Sequence, residues 1–223
     1  MPKDTFFNLP EEKRRRIIEL ATDEFAQHTY HRASLSRIVE RAGIAKGSMY
    51  QYFEDKFDLY SYLLELGGQA KLAAVNEAVA RLGPGADLQE RLLAATEASL
   101  ALAETNPQLY ALGMNLLRET DKGLVARVLE RLQPLSDNIF AEWLQDSMAR
   151  GLVDPSVSPA TAFYMFSAVT LRVGQDIADG RLTVDQAVLM LQQMLLIISE
   201  GMRPRKMTPA AGGAHRKGSE EDR

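Results

Sequence analysis

Ser-Leu-Ser-Arg-Ile-Val-Glu-Arg-Ala-Gly-Ile-Ala-Lys-Gly-Ser-Met-Tyr-Gln-Tyr-Phe-Glu-Asp-Lys-Phe-Asp-Leu, residues 34–59, encodes two short helices joined by a tight turn at Ala42-Gly43-Ile44. Leu35, Ile38, Val39 and Ala42 recur at helical spacing and form one apolar stripe. Ser34 or Ser36 can supply the oxygen that caps the first turn. Gly43 stands where the chain has to reverse, because glycine takes a left-handed backbone at little cost. The second helix runs from about Ala45 to Phe53. It turns Ile44, Met49 and Phe53 inward and leaves Lys46, Gly47, Ser48, Tyr50, Gln51 and Tyr52 outward.

That outward face has the chemistry to meet DNA. Gly47 lets the backbone approach another surface closely. Ser48, Tyr50 and Tyr52 offer hydroxyls for phosphate oxygens. Lys46 can reach a phosphate or guanine, Gln51 can read adenine, and Lys56 starts the next helix in reach of another phosphate.

Ile38-Val39, Ala42-Gly43-Ile44-Ala45-Lys46-Gly47-Ser48, Tyr50, Tyr52-Phe53, Lys56 and Leu59 together resemble the N-terminal domain of the TetR family of bacterial transcription regulators. By that resemblance, Lys46, Gly47, Ser48 and Tyr50 fall where family members touch bases or flanking phosphates. Ser34, Tyr52 and Lys56 fall at phosphate-anchoring positions, and Ser36 and Arg37 at positions of the supporting helix that sometimes reach bases. Three residues depart from the family pattern. Thr29 replaces a glycine at the end of the first helix, Ala45 replaces a capping Ser or Thr, and Phe57 stands at a usually acidic position.

The rest of the chain reads as helix throughout. Expected helices run from Glu11 to about Thr29 with Pro10 at the first position, from Asp55 to Leu82, and over about 87–104, 107–119 and 122–150. Pro134 should kink or split the last of these. Two more run from Ser158-Pro159 to about Asp179 and from Thr183 to about Gly201. The expectation is an all-α fold of about nine helices: a three-helix helix-turn-helix domain over 1–55, a larger helical effector-binding and dimerisation domain over 56–202, and a disordered basic tail over 203–223.

With 223 residues, 46% of them hydrophobic, the chain can bury a substantial core. Cysteine is absent, which excludes disulfides and thiol chemistry. No apolar leader precedes the first helix, and the most apolar stretch, Leu189 to Ile198, is too short for a bilayer, so a soluble cytoplasmic protein without membrane partners is expected. The net charge of −4 divides unevenly: residues 1–56 balance to +1, 57–202 to −8 and 203–223 to +3. Only the reading head and the tail escape the acidic bias, which favours presenting the head to phosphates. His28 and His31 have an i, i+3 spacing without a third ligand, and no carboxylate pair or phosphate loop stands out, so no metal, cofactor or catalytic site is expected.

The final helix carries two apolar stripes. Val184, Ala187, Val188, Leu191, Met194, Leu195 and Ile198 form one, and Leu189, Met190, Leu196 and Ile197 the other. A surface helix needs only one, so the second is assigned to another copy of the chain, the alternative being burial of both stripes within one large monomer. Ser167, Thr170 and Gly174 of the preceding helix supply small residues for close approach. The resemblance likewise implies a homodimer built from the last two helices.

It also implies a body that encloses a small lipophilic or aromatic effector. Tyr110, Met114, Trp143, Phe163 and Phe166 are the candidate lining residues, with Asn115, Arg118 or Arg172 as polar anchors; ordinary packing and surface ion pairing account for the same residues. The function expected is a dimeric transcriptional repressor that binds a palindromic double-stranded operator sequence-specifically and is released from it by its effector. Two alternatives stay open: a DNA-binding dimer without an effector, and a helical ligand-binding protein that no longer binds DNA.

Overall fold

A computed structural model describes residues 1–132 and 137–204, with Asp137, Asn138 and Ala178 described by backbone only. Among the described residues the chain forms eleven helices and no strand. They are α1 (Asp4–Phe7), α2 (Glu11–Gln27), α3 (Leu35–Ala42), α4 (Lys46–Tyr52), α5 (Lys56–Leu82), α6 (Leu88–Thr105), α7 (Pro107–Leu117), α8 (Lys122–Leu132), α9 (Asp137–Ala149), α10 (Pro159–Ala178) and α11 (Val184–Gly201). Two more helices appear than the sequence reading expected. α1 is a four-residue turn too short to show periodicity, and the 122–150 stretch is divided into α8 and α9. The expected break at Pro134 and the tail from 205 onward lie outside the described residues.

Local capping explains the boundaries. Ser34, Asp55, Asp87, Ser158 and Thr183 each accept a backbone N–H in the first turn of the helix that follows, and Asp87–Glu90 and Thr183–Gln186 close reciprocal capping boxes. Gly43 ends α3 with φ +66°, where the Ile44 and Gly43 amides turn back onto the Val39 and Glu40 carbonyls. The corner after α2 needs no such residue. His28 is extended, and Thr29 starts a turn whose carbonyl accepts from Arg32 and Ala33. This is how the chain manages without the missing glycine.

α2, α3 and α4 pack around Ile17, Phe25, Ile38, Met49 and Phe53, all fully buried. The same cluster runs on through Leu59, Tyr60 and Leu63 of α5 into Leu112 and Leu116 of α7 and Leu124 and Val128 of α8. The head is therefore fused to the body by shared core. A second cluster joins α6, α9, α10 and α11 around Leu92, Leu144 and Leu195, and a third joins α10 to α11 around Val173, Ala187 and Leu191.

Two buried carboxylates tie the elements around the first cluster together. Asp58, in the first turn of α5, accepts from the Met1 amino group, from the Glu54 amide at 3.2 Å and from Arg131 of α8 at 3.2 Å. Burial would raise its carboxyl, but these donors outweigh it and hold it below the ordinary value of 3.8. Glu24 of α2 accepts from the Ser34 amide at 2.8 Å and from both arms of the Arg37 guanidinium. It too is held below its ordinary value of 4.5, with burial opposing and the Arg37 and Ser34 hydrogen bonds prevailing.

A carboxyl depressed in the folded state stabilises fully above its unfolded value and loses that contribution as the pH falls through the folded one. The melting temperature is thus expected to fall steeply below about pH 4.5, with the loss blunted in Asp58→Asn, when unfolding is followed by circular dichroism across an acid series.

Candidate nucleic-acid interface and effector region

Helix α4 presents the face the sequence predicted, with two corrections. Lys46, Gly47, Tyr50 and Gln51 are exposed, Ser48 is half-buried, and Tyr50 leaves 46% of its surface to solvent. Around Gly47 even an added Cβ would meet nothing within 4 Å, so the backbone there is open to another molecule. Lys46 and Tyr50 side chains have no partner among the described residues. Ala45 stands at the N-cap without a side-chain bond, and in the first turn of α4 the Ser48 amide donates to the Ala45 carbonyl at 2.9 Å.

The first correction is Tyr52. It was read as outward, but only 6% of it is exposed, because α1 lies across that side of α4. The Phe6 ring sits 6.0 Å from Tyr52 and 4.7 Å from Phe53. Lys3 donates from its amide to the Tyr52 carbonyl and from Nζ to the Tyr50 carbonyl, each at 2.8 Å, and Thr5 Oγ1 donates to Gln51 O. The N-terminal segment therefore caps the last carbonyls of α4, where a lysine also suits the helix dipole. The sequence reading missed this strap entirely.

The second correction is Lys56. Its ammonium donates to the carbonyls of Ala33 at 3.2 Å and His31 at 3.4 Å and lies 4.6 Å over the Tyr30 ring, with burial pushing its pKa down. It holds the α2–α3 loop against α5 rather than projecting to a phosphate. On the supporting helix, Ser36 is exposed and Ser34 caps α3. Arg37 remains partly exposed while Glu24 and the Arg32 carbonyl fix its guanidinium. Phe57, unusual by the family pattern, takes the Arg127 guanidinium over its ring at 3.9 Å and so docks α8 on α5.

In the body the eight effector candidates fall into separate settings. Phe163 and Phe166 flank Phe140 at 5.4 and 5.6 Å, and Trp143 is packed in the same cluster. Met114 faces α10, since a Cβ on Gly174 would lie 3.9 Å from its methyl carbon. The Tyr110 hydroxyl is buried without a hydrogen-bond partner, and burial pushes its pKa up.

The three proposed polar anchors are otherwise engaged. Asn115 Nδ2 donates to the Ala26 carbonyl at 2.7 Å and the Phe25 carbonyl at 3.0 Å, clasping α7 to the end of α2. Arg118 pairs with Asp179 at 3.3 Å, and Arg172 with Asp176 at 3.0 Å. Two surface concavities do not contain these candidates. One, of about 500 Å³, lies between α2 and the α6–α7 corner beside Asp23, Arg41 and Asn106; the other, of about 410 Å³, lies between α6 and α11 beside Leu93 and Leu196.

The stripes of α11 separate as expected. Ala187, Leu191 and Leu195 are buried, whereas Leu189, Leu196 and Ile197 face out, Ile197 with 72% of its surface exposed. Met190 is instead half-buried against the α10–α11 cluster. α10 adds Tyr164, 75% exposed, with Phe163, Met165 and Leu171. Gly174 serves a contact inside the subunit, because its open side meets Leu117 and Met114 of α7. The Ser167 and Thr170 hydroxyls bond carbonyls of their own helix.

His31 Nε2 lies 3.1 Å from Asp121 Oδ2, and no group of three metal-ligating side chains occurs among the described residues. No described helix is long and apolar enough to cross a membrane.

Comparison with known proteins converges on one family. The family model described as bacterial regulatory proteins, tetR family, matches residues 17–63. The chain is 30% identical over 162 residues to the HTH-type transcriptional activator FasR of Mycolicibacterium smegmatis, spanning 68% of this chain and 73% of that protein. It is 32% identical to a TetR family transcriptional regulator from Chloroflexus aurantiacus whose structure superposes with a TM-score of 0.60, over 92% of this chain and all of that one. The fold is also that of the transcriptional regulator FadR from Bacillus subtilis, solved in complex with stearoyl-CoA, at a TM-score of 0.66, 19% identity, 85% of this chain and 99% of that one.

Proposed function

From the premise that the chain belongs to the TetR family of bacterial transcription regulators, we propose that it works as a homodimer whose affinity for a palindromic operator falls when a lipophilic, acyl-type effector fills its body. The observation that carries the DNA half is the face of α4. Lys46, Gly47, Ser48, Tyr50 and Gln51 stand on the far side of a fully packed core, beside Ser34, Ser36 and Arg37 at the start of α3. In this reading residues 1–55 are the reading head and 56–202 the body.

Two heads have to enter successive major grooves, about 34–36 Å apart in dimeric helix-turn-helix proteins. The Asn115 clasp, the Arg131–Asp58 bond and the shared core make the head follow α5, α7 and α8. A ligand that moves α7 therefore resets the spacing between heads, by a coupling typically of about 1–3 kcal/mol. The acyl class is supported by the fold shared with a regulator solved with stearoyl-CoA and by the apolar layer between α6, α9, α10 and α11. Whether release raises or lowers transcription depends on where the operator lies relative to the promoter, so the same switch serves an activator or a repressor.

The test is a mobility-shift assay with DNA from upstream of the protein's own gene, repeated with saturating acyl-CoA, alongside native mass spectrometry for co-purified ligand. Retarded DNA that the acyl-CoA releases is the expected result. Operator affinity unchanged by a ligand shown to be bound would overturn the switch.

A further inference from the structure

α4 is seven residues long and starts at Ala45 without a side-chain cap. A helix that short does not hold itself in water, so the residues that read DNA need an external frame. Met49 and Tyr52 anchor its inner side in the core. Its last turn is held differently. The end of an α-helix leaves four carbonyls without an intrahelical partner. Here the Phe53 amide takes the Met49 carbonyl, and those of Tyr50, Gln51 and Tyr52 remain. Two residues of the N-terminal strap take all three. Lys3 Nζ donates to Tyr50 O and the Lys3 amide to Tyr52 O, each at 2.8 Å, and Thr5 Oγ1 donates to Gln51 O.

The strap is itself fixed to other elements. Phe6 is fully buried, with its ring 4.7 Å from Phe53 and 5.8 Å from Tyr62 of α5. Arg14 of α2 donates to the Phe7 carbonyl at 2.9 Å. The end of α4 thus hangs from α2 and α5 through residues 3–7. Tyr50 and Gln51, whose carbonyls are held, carry their side chains on the exposed face, so any shift of this turn moves them directly. Lys3 and Thr5 are exposed as well, and their side-chain bonds to α4 lie outside the packing of the core.

We propose that Lys3 and Thr5 are positioning residues for operator reading: they lock the last turn of α4 so that Tyr50 and Gln51 meet DNA in one geometry. This rests on the reading of α4 as the operator-contacting helix. A turn ordered before binding spares the complex the cost of ordering it on the DNA.

Thr5→Val removes the hydroxyl at nearly constant shape and unchanged charge, so its effect cannot come from a lost phosphate contact. Lys3→Met removes the Nζ bond and leaves the amide bond in place. Thr5→Ser and Lys3→Arg keep a donor at each position. The full chain is titrated with the operator fragment and with random DNA, and hydrogen exchange is followed in α4 and α2. Thr5→Val is expected to lower the preference for operator by about three- to tenfold, because the bond is lost in both protomers. The Lys3→Met/Thr5→Val pair should lower it by about ten- to a hundredfold. The Ser and Arg variants should retain the preference. Exchange of the amides at 50–53 should quicken while that of α2 stays unchanged.

An undiminished preference in the double variant overturns the proposal. So does an equal loss on operator and random DNA, which would make the strap a phosphate contact only. A Thr5→Val variant whose exchange quickens equally in α2 assigns the strap to general stability and overturns it too. A parent protein without any preference overturns the operator reading itself, and the positioning role with it.

Discussion

Ile197→Asp is expected to leave a folded monomer that no longer retains a two-half-site operator. Ile197, Leu189 and Leu196 stand on the outer side of α11, and Tyr164 and Leu171 on the outer side of the adjoining α10. The inner stripe of α11 already satisfies its own subunit through Ala187, Leu191 and Leu195. A second apolar face on a helix that has buried its first is a surface for another molecule, and in a two-fold interface each such residue counts twice. Full burial of an isoleucine contributes about 1.5–3 kcal/mol. Its loss in both protomers, with two carboxylates forced into an apolar seam, should weaken association by at least about 3–6 kcal/mol, or roughly a hundredfold to ten-thousandfold.

Because the residue is exposed in the single chain, the melting temperature extrapolated to low protein concentration should scarcely move. Sedimentation velocity and a mobility shift on the operator check the two halves of the expectation. A variant that still sediments as a dimer at micromolar concentration would place the interface elsewhere.

The same helix shows what is legible in a sequence and what is not. Periodicity alone assigned the two stripes of α11, because side-chain direction on a regular helix follows from residue number. It also placed Met49 and Phe53 inside and Lys46 and Tyr50 outside. Periodicity does not say which neighbour a face will meet. Tyr52 was assigned outward by its place on α4 and is buried because α1, some forty-five residues earlier in the chain, covers it. Gly174 was read as room for a partner subunit, whereas α7 occupies that side.

Polar side chains were the hardest to place. Asn115 reaches back to Phe25 and Ala26, and Lys56 to His31 and Ala33; no local pattern encodes such pairings, which depend on how distant helices stack.

Lys46→Ala combined with Tyr50→Ala is expected to abolish sequence-specific DNA binding while leaving fold and dimer intact. The two side chains are exposed and unpartnered, so their removal should change stability by no more than about 0.5 kcal/mol. On DNA the reckoning differs. A good base-edge contact contributes about 1–3 kcal/mol of discrimination, and a dimer loses it at both half-sites, giving about 2–6 kcal/mol per kind of contact. Removing one phosphate-paired lysine from each protomer should also lower the slope of log affinity against log salt by about 2.

Tyr52→Phe and Lys56→Met provide the controls. Both positions carry the family motif, but Tyr52 is packed beneath α1 and Lys56 is bonded to the α2–α3 loop. Whatever DNA affinity those two variants lose should come with a lower melting temperature, whereas the α4 pair should lose affinity without one. An operator bound by the Lys46/Tyr50 double variant with undiminished preference over random competitor would remove α4 from the major groove, and the proposed reading head with it.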